Sequence, residues 1–364
     1  MGTVRGRPCY DAAAFPILPM PSAVPALPHA LSAVFGPAAA LGSAFTWAFA
    51  SVIYTQAAKS LGPPSANLLR SLTVLPIYAL LALALHGPSA FVHVQPGVLG
   101  WLTLSTICSF ALGDLVFYMA AIRLGTPTAL AIAAVYPVWA TLAGAVALGE
   151  TLTRTRILGL LCCVAGVVWL IISQRSVAER SRSGPASDAD RSLVHGSGDG
   201  VSDAHKMSAA GRSSTRRART RRYAVGLLLS LLTSLMWAGN SYALRQAGTQ
   251  MPFLVVNALR FSLASIALYI VFRAQGGDSL RTCAGRLGAA RRFYVTVLIE
   301  ALGGSSLFVY ALSSTDLSIA APLCSLAPLF AVPIGVVMRT DRLSGNRVLA
   351  ICVTMAGVIA LLRG

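Results

Sequence analysis

Ten long apolar stretches constrain this chain more than any other feature. They lie at about 37–58, 66–86, 97–121, 127–149, 157–173, 224–244, 254–272, 293–313, 318–338 and 348–362. A helix needs roughly 20 apolar residues to cross the hydrocarbon of a bilayer. Inside lipid every backbone polar group must pair within its own segment, so runs of this length imply helices. The fifth and tenth runs are short and are expected to gain length from flanking polar residues. Of the 364 residues, 55% are hydrophobic and only 11% charged, against roughly 25% charged in a soluble domain. The expected fold class is therefore all-α integral membrane, with ten transmembrane helices. The expected location is the cell membrane, with the lipid bilayer as a partner. The net charge of +17 comes almost wholly from arginine, Lys59 and Lys206 being the only lysines. Most arginines lie between apolar runs, where membrane orientation explains them and no nucleic acid is needed. The seven cysteines form neither a C-x-x-C pair nor a Cys/His cluster, so no metal, cofactor or disulfide framework is expected.

Two segments stand apart. Residues 1–36 carry Pro16, Pro19, Pro21, Pro25 and Pro28, too dense for a continuous helix, and are expected to form a disordered tail. Residues 174–223 are rich in Ser, Gly, Asp and Arg and are expected to form a disordered basic linker.

The two blocks flanking the linker, 37–173 and 224–363, repeat one another. At an offset of 190 residues, Trp47-Ala48 falls on Trp237-Ala238 and Gln56-Ala57 on Gln246-Ala247. Asn67, Leu69 and Arg70 fall on Asn257, Leu259 and Arg260 at the same offset. After one inserted residue the offset is 191: Pro137 meets Pro328, Glu150 meets Asp341, Arg156 meets Arg347, and Ala165-Gly166-Val167 meets Ala356-Gly357-Val358. Apolar helices resemble one another by composition, but matches at Trp, Asn, Arg, Pro and Gly in one register do not arise that way. Each copy holds five spans. An odd number forces the second copy to enter the membrane upside down, which implies two inverted repeats about a central site.

These residues resemble the EamA-type transporters of the drug/metabolite transporter superfamily. The resemblance rests on Trp47 and Trp237, on Asn67-Leu-Leu-Arg70 and Asn257-Ala-Leu-Arg260, and on the run Gly113-Asp114, Tyr118, Tyr136-Pro137, Gly149-Glu150, Gly159 and Gly166. The second copy matches through Tyr310-Ala311, Ala327-Pro328 and Gly357, and departs at Asp341 and Ala350. The resemblance implies a secondary transporter, an exporter or exchanger of small metabolites, and not an enzyme. It also implies both termini in the cytoplasm. The eleven Lys/Arg of the linker favour the opposite orientation, and the two readings stand side by side.

Trp47, Asp114, Tyr118, Tyr136, Trp237, Asn240, Tyr242 and Tyr310 are the candidate substrate-binding residues, aromatic walls with a few polar groups being usual in small-molecule sites. Asp114 and Glu300, each the only acid in its half's spans, are the candidate proton-coupling groups, since an intramembrane acid is costly to keep. Arg70 and Arg260 sit near helix starts and are expected to snorkel to the headgroups. Glu150 and Asp341 are expected to favour the N-termini of the helices that follow them. Pro137 and Pro328 are expected to mark paired breaks in the fourth and ninth helices. Ala111-Leu-Gly-Asp114 resembles the G-x-G-D of membrane aspartyl proteases, with Ala in place of the first Gly. An intramembrane enzyme, and a non-transporting scaffold or sensor, are the alternatives.

Overall fold

The computed structural model describes residues 29–92, 94–180, 201–276, 291–330 and 345–363, and among them every regular element is helical. Six helices are long and apolar enough to cross a membrane, three in each half: Val34–Leu61, Pro63–His86, Pro96–Leu124, Arg221–Gly248, Phe253–Ala274 and Arg291–Ser314. Tyr136–Ala147 and Leu317–Phe330 are shorter apolar helices. Arg154–Arg180 and Gly345–Arg363 complete the two halves. Leu80, Val146, Leu228, Ile266 and Ile270 point outward with most of their surface uncovered. That pattern suits a lipid solvent, in which apolar side chains need no burial.

Several boundaries differ from the sequence reading. The first helix begins at His29, immediately after the last of the clustered prolines, and Pro37 is accommodated inside it. On the linker side helix runs to Arg180 and starts again at Val201. Ala- and Arg-rich sequence propagates a helix readily once a span has nucleated it. Residues 181–200 lie outside the described residues, as do 1–28.

The fourth apolar stretch is two helices rather than one. Thr126–Ala133 ends in a turn at 134–135, and Tyr136–Ala147 follows. The ninth repeats this: Leu317–Cys324 is followed by a turn at 325–326. The two breaks are alike to the hydrogen bond. Val135 N donates to Ile132 O at 3.3 Å, and Leu326 N to Leu323 O at 3.3 Å. Each break lies just ahead of the paired prolines, Pro137 and Pro328, which lack the N–H that would carry the helix through.

The halves interdigitate. Pro63–His86 packs on its repeat equivalent Phe253–Ala274, Arg154–Arg180 on Gly345–Arg363, and Tyr136–Ala147 on Leu317–Cys324. His29–Leu61 packs on Ser305–Ser314, and the mirror pair, Val201–Gly248 on Gly113–Leu124, is also made. Exchanging the two halves leaves this set of neighbours unchanged. One close crossing shows its sense. A Cβ on Gly166 would lie 3.0 Å from Ala350 O and 2.8 Å from Thr354 N, and one on Gly357 would lie 2.8 Å from Gly159 O and 2.7 Å from Cys163 N. The partners of Gly166 and of Gly357 are equivalent at the 191-residue offset. Residue numbers rise on one helix as they fall on the other, so the two equivalent helices run antiparallel. Only glycine allows backbones this close.

Candidate functional site

The second helix of each half sets an Asn and an Arg three residues apart on one face. In both copies the arginine Nη1 donates to the asparagine Oδ1 at 3.4 Å, Arg70 to Asn67 and Arg260 to Asn257. Arg70 is 2% exposed and Arg260 1%. The expectation that they snorkel to the headgroups is therefore corrected. Each lies seven residues or more past the start of its helix, about 10 Å along the axis, and finds polar partners inside the protein.

Arg70 Nη1 donates to Asp114 Oδ2 at 2.7 Å, and its Nη2 lies 3.4 Å from Glu300 Oε2. The Tyr54 hydroxyl donates to Glu300 Oε2 at 2.9 Å. One guanidinium thus holds an acid from each half. Its Cζ also stands 4.9 Å from the Tyr54 ring and 5.1 Å from the Phe110 ring. Arg260 approaches Phe110 as well, at 4.6 Å, so this ring faces two cations.

Asp114 and Glu300 come from the third helix of each half, Asp114 three residues after the π-helical segment Ile107–Ala111 and Glu300 within the segment Val297–Gly304. A π turn widens the backbone and leaves a carbonyl free, which is why such turns recur at functional sites. Here Phe110 O accepts from Asn67 Nδ2, tying the first π segment to the Asn67–Arg70 face.

Trp47 and Trp237, equivalent in the repeat, meet edge to face with ring centroids 5.7 Å apart. Tyr136 stands edge-on to Trp237 at 6.2 Å. Around these rings is a central cavity of about 100 Å³. Of the residues expected there, Trp47, Asp114, Tyr136, Trp237, Asn240 and Glu300 line it, joined by Arg70 and Arg260.

Tyr118, Tyr242 and Tyr310 do not line the cavity. Tyr242 is two residues past Asn240, about 200° around the helix, and packs on Trp101 at 5.6 Å. Tyr310 stands in the same relation to Phe308, which does line it. Tyr118 is a turn beyond Asp114 and is buried against Phe117 at 5.6 Å. Ser43, Ser109, Ser241, Ser305 and Ser325 also line the cavity, although the sequence pattern does not mark them. Serine is common in spanning helices and carries no periodic signal of its own.

Glu150 does not serve the helix that follows it. Its carboxylate accepts from the backbone amides of Leu317 at 2.7 Å and Ser318 at 2.9 Å. It caps a helix of the other half. Asp316, at that helix's own cap position, makes no side-chain cap bond and pairs with Arg156 at 3.2 Å instead. Asp341 lies outside the described residues. Glu150→Ala is expected to lower stability by about 1–2 kcal/mol, the cost of two orphaned helix-end amides, with Glu150→Gln in between. Thermal unfolding of the purified protein in detergent measures this. An unchanged midpoint for Glu150→Ala would mean that the cap contributes nothing.

Paired helices of a duplicated chain, exposed apolar flanks and a cavity between the halves that holds buried charged groups define the class: a multi-pass helical membrane protein with a central cavity. The EamA-like transporter family model matches residues 34–172 and 224–363, and the chain belongs to that family. An uncharacterized transporter of Archaeoglobus fulgidus is 24% identical over 324 residues, which is 88% of this chain and 96% of the relative. A crystal structure described only as that of a protein superposes with a TM-score of 0.58 at 18% identity, covering 92% of this chain and 98% of its own. That likeness concerns the fold alone.

Proposed function

We propose that this protein is a secondary active transporter of the cell membrane, an exporter or exchanger that moves small metabolites by alternating access about the central cavity. The arrangement we propose is ten transmembrane helices in two inverted five-helix repeats, 37–173 and 224–363, with a tail before them and the 174–223 linker between. The observation that carries this reading is the antiparallel crossing of Gly166 and Gly357. When two equivalent helices pack antiparallel about a two-fold axis, that axis is perpendicular to them and so lies in the membrane plane. Rocking one half against the other about such an axis exposes the cavity to each side in turn.

The site supports transport over proteolysis. An aspartyl protease sets two aspartates against each other to share a proton. Here the group against Asp114 is the Arg70 guanidinium, and the second acid reaches the same guanidinium. Of the nine residues proposed to bind or couple, Glu300 among them, six ring one cavity and three tyrosines stand outside it. Asp114 and Glu300 are the proposed proton-coupling pair.

Metabolite profiling of cells with and without the protein tests the function. Transport predicts that a small set of metabolites shifts between cells and medium in proportion to expression. Identical profiles with the protein confirmed in the membrane would remove the transport reading.

A further inference from the structure

The repeat can be followed into the site itself. The 191-residue offset continues backward through Ala120/Ala311, Phe117/Phe308 and Gly113/Gly304. At the same offset Asp114 corresponds to Ser305, and Glu300 to Ser109. The two acids that hold Arg70 are thus replaced by serines around Arg260. The geometry follows the substitution. Arg260 Nη2 donates to Ser109 Oγ at 3.1 Å, where Arg70 reaches Glu300. It also donates to Asn240 Oδ1 at 3.1 Å. Ser305 Oγ donates to Asn257 Oδ1 at 3.0 Å. Among the described residues no carboxylate stands within ion-pair distance of Arg260, and its Nε has no hydrogen-bond partner.

A guanidinium buried without a contacting anion is costly. A protein built from two copies of one unit has the alternative at hand, since the other copy supplies both acids. The Ser109 hydroxyl and the amide oxygens of Asn240 and Asn257 solvate Arg260 without neutralising it, and it faces the cavity. Deepening the transport reading above, on which it rests, we infer that Arg260 is the anion-binding subsite and that the substrate is a small organic anion. Its carboxylate, or an oxyanion of similar geometry, seats on the Arg260 fork within reach of Ser109 and Ser305. Its apolar body lies against Trp47, Trp237 and Tyr136. A planar guanidinium matches a carboxylate with two parallel hydrogen bonds. The Arg70 site is the same receptor already filled by the protein's own carboxylates.

The test uses the full chain, purified in detergent, and acid/amide pairs of one shape: benzoate with benzamide, and butyrate with butyramide. Ligand-induced thermal stabilisation and titration calorimetry are read on wild type, Ser109→Glu and Arg260→Gln. Ser109→Glu installs the carboxylate that Glu300 supplies to Arg70, and so closes the site with the fold's own solution. The expected result is that wild type prefers the acid of a pair by about tenfold or more, the scale of one charge-assisted contact. Ser109→Glu loses that preference. Arg260→Gln, which removes the charge without adding bulk, loses it too and carries the test should Ser109→Glu fold poorly. Equal response to acid and amide, no response to either acid, or undiminished acid binding by Arg260→Gln overturns the inference. Counterflow in proteoliposomes, corrected for protein-free vesicles, separates the two readings. Acid-selective binding without counterflow leaves the anion site standing and removes transport. Counterflow of amides and acids alike leaves transport standing and removes the anion site.

Discussion

Arg70→Met is expected to destabilise the protein by about 3–5 kcal/mol, the cost of breaking a buried ion pair by removing one partner. The reason is what stays behind. Asp114 and Glu300 are 4% and 6% exposed, and their shared cation is Arg70. Without it, two carboxylates from opposite halves are left with neutral donors only, the Tyr54 hydroxyl on Glu300 among them. Neutralising the acids on that background should return most of the loss, so Arg70→Met/Asp114→Asn/Glu300→Gln should unfold close to wild type. Arg260→Met should behave differently. Its contacts are neutral oxygens of Ser109, Asn240 and Asn257, so removing it strands no charge. It costs about 1–2 kcal/mol in hydrogen bonds, offset by the relief of burying an unpaired cation. Denaturation of the four proteins in mixed micelles measures the contrast. Equal losses at Arg70 and Arg260 would show that the acids do not distinguish the two arginines.

The contrast between those arginines was half legible in the sequence. Their register in the repeat was plain, and so was the depth of Asp114 and Glu300, because single acids in apolar runs stand out. Helical phase then brought Trp47, Asp114, Tyr136, Trp237, Asn240 and Glu300 to one cavity. What no local pattern carries is which way a long side chain turns. Arg70 and Arg260 lie where a guanidinium can reach either the headgroups or the interior, and the outcome was decided by acids or hydroxyls contributed by helices far away in the chain. Tyr242 and Tyr310 failed for a different reason: being apart by two residues from a lining position puts a side chain on the far face of a helix. Glu150 shows the same limit at larger scale. A carboxylate ahead of a helix suggests a cap for that helix, whereas the inverted packing brings it to Leu317 of the other half.

The exchange of halves also bears on coupling. Asp114 is held by Arg70 at 2.7 Å, whereas Glu300 stands 3.4 Å away and shares its oxygen with Tyr54. One guanidinium can satisfy one carboxylate fully, so under the proposed coupling Glu300 is the acid better placed to take and release a proton. If an anion seats on Arg260, a proton on Glu300 keeps the cavity near neutral, and the two should move together. Glu300→Gln preserves size and the ability to accept from Tyr54 but cannot titrate. It is expected to fold, insert and carry out counterflow at near wild-type rates, yet to lose accumulation driven by a pH gradient. One proton moved with one substrate sustains about tenfold accumulation per pH unit, since each unit is worth about 1.4 kcal/mol, so wild type and variant should differ by roughly that factor. Asp114→Asn should weaken counterflow as well, because it removes the tighter partner of Arg70. The measurement is flux of the profiled substrate in proteoliposomes with and without an imposed gradient, corrected for protein-free vesicles. Gradient-driven accumulation that survives in both variants would leave the acids with the single task of holding Arg70.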